Sequence, residues 1–136
     1  MRHITTVFRN LTARIHAFIR GEEEVTDLII AEITPPNRLA RCWVRGYIQD
    51  HAFQALMYPR HAQNPGWELG TSLISKLYLY QMADDRIVAA FERGWELQPT
   101  SQVVQMIVHR LASELAELVY GPLRESRLTS HLSQPK

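Results

Sequence analysis

Two guanidinium groups and two large rings alternate with small or apolar residues between Ala40 and Gln49. Arg41, Trp43, Arg45 and Tyr47 fall on one parity, and Ala40, Cys42, Val44, Gly46 and Ile48 on the other. A period of two belongs to a strand whose successive side chains point to opposite faces of a sheet. The four large groups are therefore expected to emerge together. Rings on a sheet stack unpaired bases, at roughly 1–3 kcal/mol per base, and guanidinium groups meet phosphates. Rings and arginines also make protein contacts. If the strands pair as a meander, Tyr58, Lys76, Tyr78 and Tyr80 share this surface, and Arg93 and Trp95 extend it across a bulge at Gly94. Such a face either takes a ligand or lies under a helix or a second subunit.

Other groups carry less. Asp50-His51 has the types of a base and its orienting partner, but tight turns use both residues for backbone reasons. His61 and Glu68 share a long loop and are two ligands short of a zinc site. Asp84-Asp85 suits a turn as well as a cation. There is no Gly-rich phosphate loop, H-E-x-x-H, nucleophile elbow or paired-Cys motif. No catalytic residue, metal or cofactor is assigned. The enzyme alternative rests on His51, His61 and Glu68 converging.

These side chains need elements to position them. Ile4, Phe8, Leu11, Ile15 and Phe18 at steps of four and three predict a helix over 4–19. Glu22 to Glu24 favour a second helix through roughly Ile33, although Leu28 to Ile33 also reads as a strand. Thr34-Pro35-Pro36-Asn37 ends it in either case. Strands are expected at about 39–49, 52–58, 72–82 and 86–97, with an exposed loop at Pro59 to Gly70. The third, dense in Ile, Leu and Tyr, also fits a helix, but its length, its rings and the turn at Ala83-Asp84-Asp85 favour a strand. In it Leu73, Ser75, Leu77 and Leu79 take one side, and Ile74, Lys76, Tyr78 and Tyr80 the other. In the fourth, Ile87, Ala89 and Phe91 align. A Thr or Ser cap then opens a helix over about 101–120, with Val104, Ile107, Leu111, Leu115 and Leu118 on one stripe facing Val44 and Leu77. Gly121-Pro122 closes it, and residues 122–136 read as a flexible tail. Gly-Trp-Glu-Leu at 66–69 and 94–97 lacks matching neighbours and is not a repeat.

The 136 residues are 46% hydrophobic and carry a net charge of +1, which suits one domain over 1–121 and no global field toward nucleic acid or membrane. The opening Arg2, Arg9, Arg14 and Arg20 stand in a stretch without acids. Its composition is that of a mitochondrial presequence, and its stripe suits an anionic membrane, but docking on the protein's own sheet is the preferred reading. No apolar run is long enough to span a bilayer. Single Cys42, on the apolar parity, reads as a core residue.

Ser72-Leu73-Ile74-Ser75-Lys76-Leu77, a hairpin, then Phe91-Glu92-Arg93-Gly94-Trp95 and Pro99-Thr100 resemble a small uncharacterised domain of bacteria, phages and plasmids. Its members show an "ISKL" strand, an aromatic-x-Arg-Gly-Trp strand and a closing helix. The Trp43-x-x-Gly46 and Phe53-x-Ala55 hairpin is similar too, so the likeness spans roughly Arg41 to Leu118. Phe91 stands where tyrosine is common. The resemblance implies an α+β fold and brings no activity with it.

The expectation is an α+β fold: a four-stranded antiparallel sheet, one or two N-terminal helices and a C-terminal helix. The expected role is a small non-enzymatic binding or adaptor protein of a mobile element, cytoplasmic, contacting a protein or a second copy as a homodimer. The alternative partner is single-stranded nucleic acid.

Overall fold

Alternating apolar residues and tight reversals build the sheet. The structure is a computed structural model and describes residues 27–133, with side chains as far as Pro122. Six antiparallel strands lie side by side in chain order: β1 (Ile29–Thr34), β2 (Cys42–Ile48), β3 (His51–Met57), β4 (Ile74–Gln81), β5 (Arg86–Glu92) and β6 (Trp95–Leu97). One long helix, α1 (Gln102–Ser133), follows. Gln49 and Asp50 form the two-residue β2–β3 reversal with positive φ, 48° and 61°, the backbone that matches strand twist.

The expected four-stranded sheet with N-terminal helices is corrected at both edges. Ile29–Thr34, assigned to a second helix, is edge strand β1, with Ile33 opposite Val44 and Thr34 opposite Trp43. Three isoleucines and a threonine followed by two prolines favour extended backbone, and this outweighs the acidic turn before them. The run 86–97, read as one strand, is broken at Arg93-Gly94, whose φ values are 56° and 137°. Gly94 thus turns the chain instead of bulging it, and Trp95 comes to face Phe91. The helix expected at 4–19 lies outside the described residues.

Bulges change which residues share a face. Leu56 pairs with Lys76 and Met57 with Ile74, so Ser75 is an extra residue. Ile74 and Leu77, three apart, therefore both reach the buried side, and Ile74 parts from Lys76, Tyr78 and Tyr80. Val88 is extra in the same sense on β5: Ile87 is turned outward while Val88 packs against the core.

α1 covers one face only. The Ser101 hydroxyl caps it, accepting from the Val104 N–H at 3.1 Å. Ile107, Leu111 and Leu115 are buried with Val44, Phe53, Leu77, Leu79 and Phe91 in one cluster. Leu118, expected on this stripe, is 44% exposed. At this end the neighbours of α1 are Arg38 and Cys42, so the buried arc turns to Val119 and Tyr120. Arg38 Nη1 donates to the Val119 carbonyl at 3.2 Å, and Cys42 Sγ lies 3.4 Å from the Tyr120 hydroxyl. Burial pushes the Cys42 thiol pKa up, which suits a core residue. The expected stop near residue 120 is also corrected. α1 runs through Gly121-Pro122 to Ser133, across most of the stretch expected as a tail. Pro122 has no N–H for the Leu118 carbonyl, and Arg38 serves the carbonyl next to it.

The connection from Tyr58 to Leu73 is not uniformly an exposed loop. It contains a 3-10 turn, Pro65–Trp67, and buries Glu68, Leu69 and Ser72. The first Gly-Trp-Glu-Leu lies here and the second in turn and strand, so the two copies differ in structure as well as in setting.

Candidate binding surface

The face opposite α1 is built by register. Trp43, Leu56, Lys76 and Glu92 form one row across β2 to β5; Glu32, Arg45, Gln54, Tyr78 and Ala90 form the next; Tyr47, Ala52 and Tyr80 form a third. Trp43 and Tyr78, on adjacent rows, stack with ring centroids 6.5 Å apart and planes 20° from parallel. Trp43 remains 36% exposed, and Tyr78 and Tyr80 are half-buried. Tyr47, in the third row, is buried. Arg41 is exposed just ahead of β2.

The electrostatics of this face are balanced. Arg45 lies 4.0 Å from Glu32, and Lys76 is directly opposite Glu92. The Tyr78 hydroxyl donates to the Glu92 carboxylate, which holds the phenolic proton and pushes the Tyr78 pKa up to about 12. Glu32 and Glu92 are members of this surface that the sequence reading missed. Glu32 becomes visible only once β1 is a strand, and Glu92 only through the pairing of β5.

Three residues assigned to this surface stand elsewhere. Trp95 packs edge-on against Phe91, with centroids 5.3 Å apart and planes at 78°, beside the core cluster. The Arg93 guanidinium lies 5.6 Å from the centroid of the Trp67 ring. Tyr58 faces the same loop region as Arg93.

That loop is organised by Glu68. Its carboxylate is buried and accepts from His61 Nδ1 at 2.8 Å, from the Ala62 N–H at 2.9 Å and from the Leu73 N–H at 2.8 Å. Burial pushes the carboxyl pKa up, but the three hydrogen bonds outweigh it and leave the value lowered. The unfolded chain therefore takes up a proton at higher pH than the folded loop. The stabilisation is complete above the ordinary glutamate value of 4.5 and is lost as pH falls through the lower folded value. Glu68→Gln offers one acceptor where two oxygens are used and leaves an N–H facing an amide N–H. It is expected to cost about 1–3 kcal/mol at neutral pH and to flatten the acid limb of stability. Thermal melts of both proteins from neutral pH to about pH 3 measure this. An unchanged acid limb would remove Glu68 as its source.

His51 does not join His61 and Glu68. It opens β3, whose length of roughly 20 Å separates it from the loop after Met57, and its Nδ1 donates to the Gln49 carbonyl at 2.7 Å. That donor serves the turn backbone. Asp84 Oδ1 likewise accepts from the Arg86 N–H at 3.0 Å. Among the described residues no three His, Cys, Asp or Glu side chains form a group fit to hold a metal ion. Among them, too, no helix is long and apolar enough to cross a membrane.

The fold and surface define a two-layer α+β domain: a meander sheet with a helix on one side and a ring-bearing face on the other. The chain belongs to the DUF7678 family, a domain of unknown function whose family model matches residues 42–116, from β2 into α1. No curated protein and no solved structure matches the chain.

Proposed function

We propose that this protein is a non-enzymatic binding module that contacts a protein surface through the sheet face opposite α1, and that its occupant is a second copy of the chain. The Trp43–Tyr78 stack carries the reading, since it leaves large rings accessible in the middle of a face ringed by polar groups. Aromatic anchors inside a polar rim are the usual material of protein contacts. The charges favour protein over nucleic acid. Strand binding draws on an unbalanced positive groove, whereas here Arg45 and Lys76 each face a carboxylate. Alternating signs also suit a twofold contact, in which Lys76 of each copy meets Glu92 of the other. From the ISKL and RGW likeness we read the module further as the product of a mobile element acting in the cytoplasm.

Sedimentation velocity tests this. The wild type is expected to dimerise, and the double substitution Trp43→Ser and Tyr78→Ser to weaken association about 30-fold or more, since truncating a central ring costs about 2 kcal/mol or more. Far-UV circular dichroism is expected to stay unchanged. A wild type that remains monomeric up to millimolar concentration overturns the self-contact. Salt-sensitive retardation of labelled single strands would hand the face to nucleic acid instead.

A further inference from the structure

A second site stands apart from the sheet face. Tyr58, the loop 60–73 and the β5–β6 turn line an open cavity of about 290 Å³, a size at the small end for ligand pockets. Its lining surface is almost wholly apolar, with Tyr58, Trp67 and Leu73 alongside the side chains of three basic residues, Arg60, His61 and Arg93. The acid present, Glu68, already has both oxygens engaged by three donors. Among the described residues no carboxylate pairs with Arg60 or Arg93, although ion pairs form elsewhere on the molecule. The Arg93 guanidinium lies over the Trp67 ring at 5.6 Å from its centroid, a cation–π contact that leaves its N–H edges able to fork onto an anion. His61 is oriented by its Nδ1–H bond to Glu68, so Nε2 is the nitrogen left for other contacts.

We propose that this cavity binds a small organic anion: a flat apolar ring bearing a carboxylate or phosphate group. Arg93 and Arg60 take the anionic group by charge-assisted hydrogen bonds, and the ring lies among Tyr58 and Leu73. The site is independent of the sheet face and survives the failure of the self-contact.

Phenyl phosphate and benzoate are the probes, with inorganic phosphate and benzyl alcohol as the halves of the recognition. Titrations followed by amide and arginine Nε–H shifts in NMR spectra of the full chain are expected to move Arg93, Trp67 and Ala62 with at least one of the two ring anions. Their relative affinities distinguish phosphate from carboxylate recognition. Arg93→Gln and Arg60→Gln, at exposed positions, are each expected to weaken binding about tenfold, the scale of a lost charge-assisted hydrogen bond. Binding of benzyl alcohol as tight as that of the anions overturns the role of the arginines. Inorganic phosphate binding as tightly as phenyl phosphate overturns the role of the apolar wall. No shift at these residues with either ring anion, or shifts undiminished in both variants, overturns the site.

Discussion

Gly46→Ala is expected to detach the edge of the sheet and to lower stability by about 3 kcal/mol, the upper end for overpacking a filled site. Gly46 lies mid-strand on β2, opposite Ile30 on one side and Phe53 on the other, and its φ is not in the left-handed region. Space is what demands glycine here. A β-carbon would stand 2.1 Å from the Ile29 carbonyl oxygen and 2.7 Å from Cζ of Phe53. The ring can swing at some cost, but the carbonyl belongs to the backbone of β1. It comes this close where Ala31 is an extra residue between the pairs Ile30–Gly46 and Glu32–Arg45, a bulge that bends the edge strand over its neighbour. Hydrogen exchange is therefore expected to accelerate in β1 and along the β2 edge while β3 to β5 keep their protection. Adding Phe53→Leu to Gly46→Ala is expected to recover only part of the loss. Gly66→Ala, whose new carbon meets nothing nearer than 3.4 Å, serves as the near-neutral control. Uniform loss of protection in the Gly46 variant would mean that the edge strand is not the part displaced.

The same bulges set how far the architecture can be read from the residues alone. β2 and its hairpin partner β3 are legible because their alternation is unbroken and their reversal needs only two residues. Trp43, Arg45, Lys76, Tyr78 and Tyr80 stand on one face for that reason, since no extra residue intervenes between Lys76 and Tyr80. An extra residue at Ser75 or Val88 leaves composition untouched yet moves Ile74 inward and Ile87 outward. Only pairing with the neighbouring strand reveals such a shift. Arg93-Gly94 allows either a bulge or a reversal, and the choice decides the side on which Trp95 lands. The acids Glu32 and Glu92 convert a basic-looking face into a balanced one. Both depend on strand partners distant in sequence, so local pattern could not supply them. His61 and Glu68 are seven residues apart in a loop without periodicity, and their hydrogen bond follows from the fold of that loop.

Leu111→Ala is expected to have the largest effect on folding, about 2–5 kcal/mol, through the transfer and cavity terms of a wholly buried leucine. Leu111 is 0% exposed at the middle of the α1 stripe, amid the cluster that joins α1 to Val44, Phe53 and Leu77. Leu118→Ala removes the same atoms one side chain away from the contact and is expected to change stability by less than about 0.5 kcal/mol. Urea unfolding of the two variants measures the difference. Equal losses would return Leu118 to the buried stripe and put the turn of that stripe toward Val119 and Tyr120 in error. The comparison also separates the two faces of the sheet. Trp43 and Tyr78 lie opposite α1, so at protein concentrations too low for dimers their truncation is expected to leave the unfolding midpoint close to that of the wild type, while association at higher concentration is lost. Leu111→Ala is expected to lower that midpoint without altering the contact face of the molecules that remain folded. A single substitution that reduced both stability and association in proportion would instead mean that the ring-bearing face is part of the folding core.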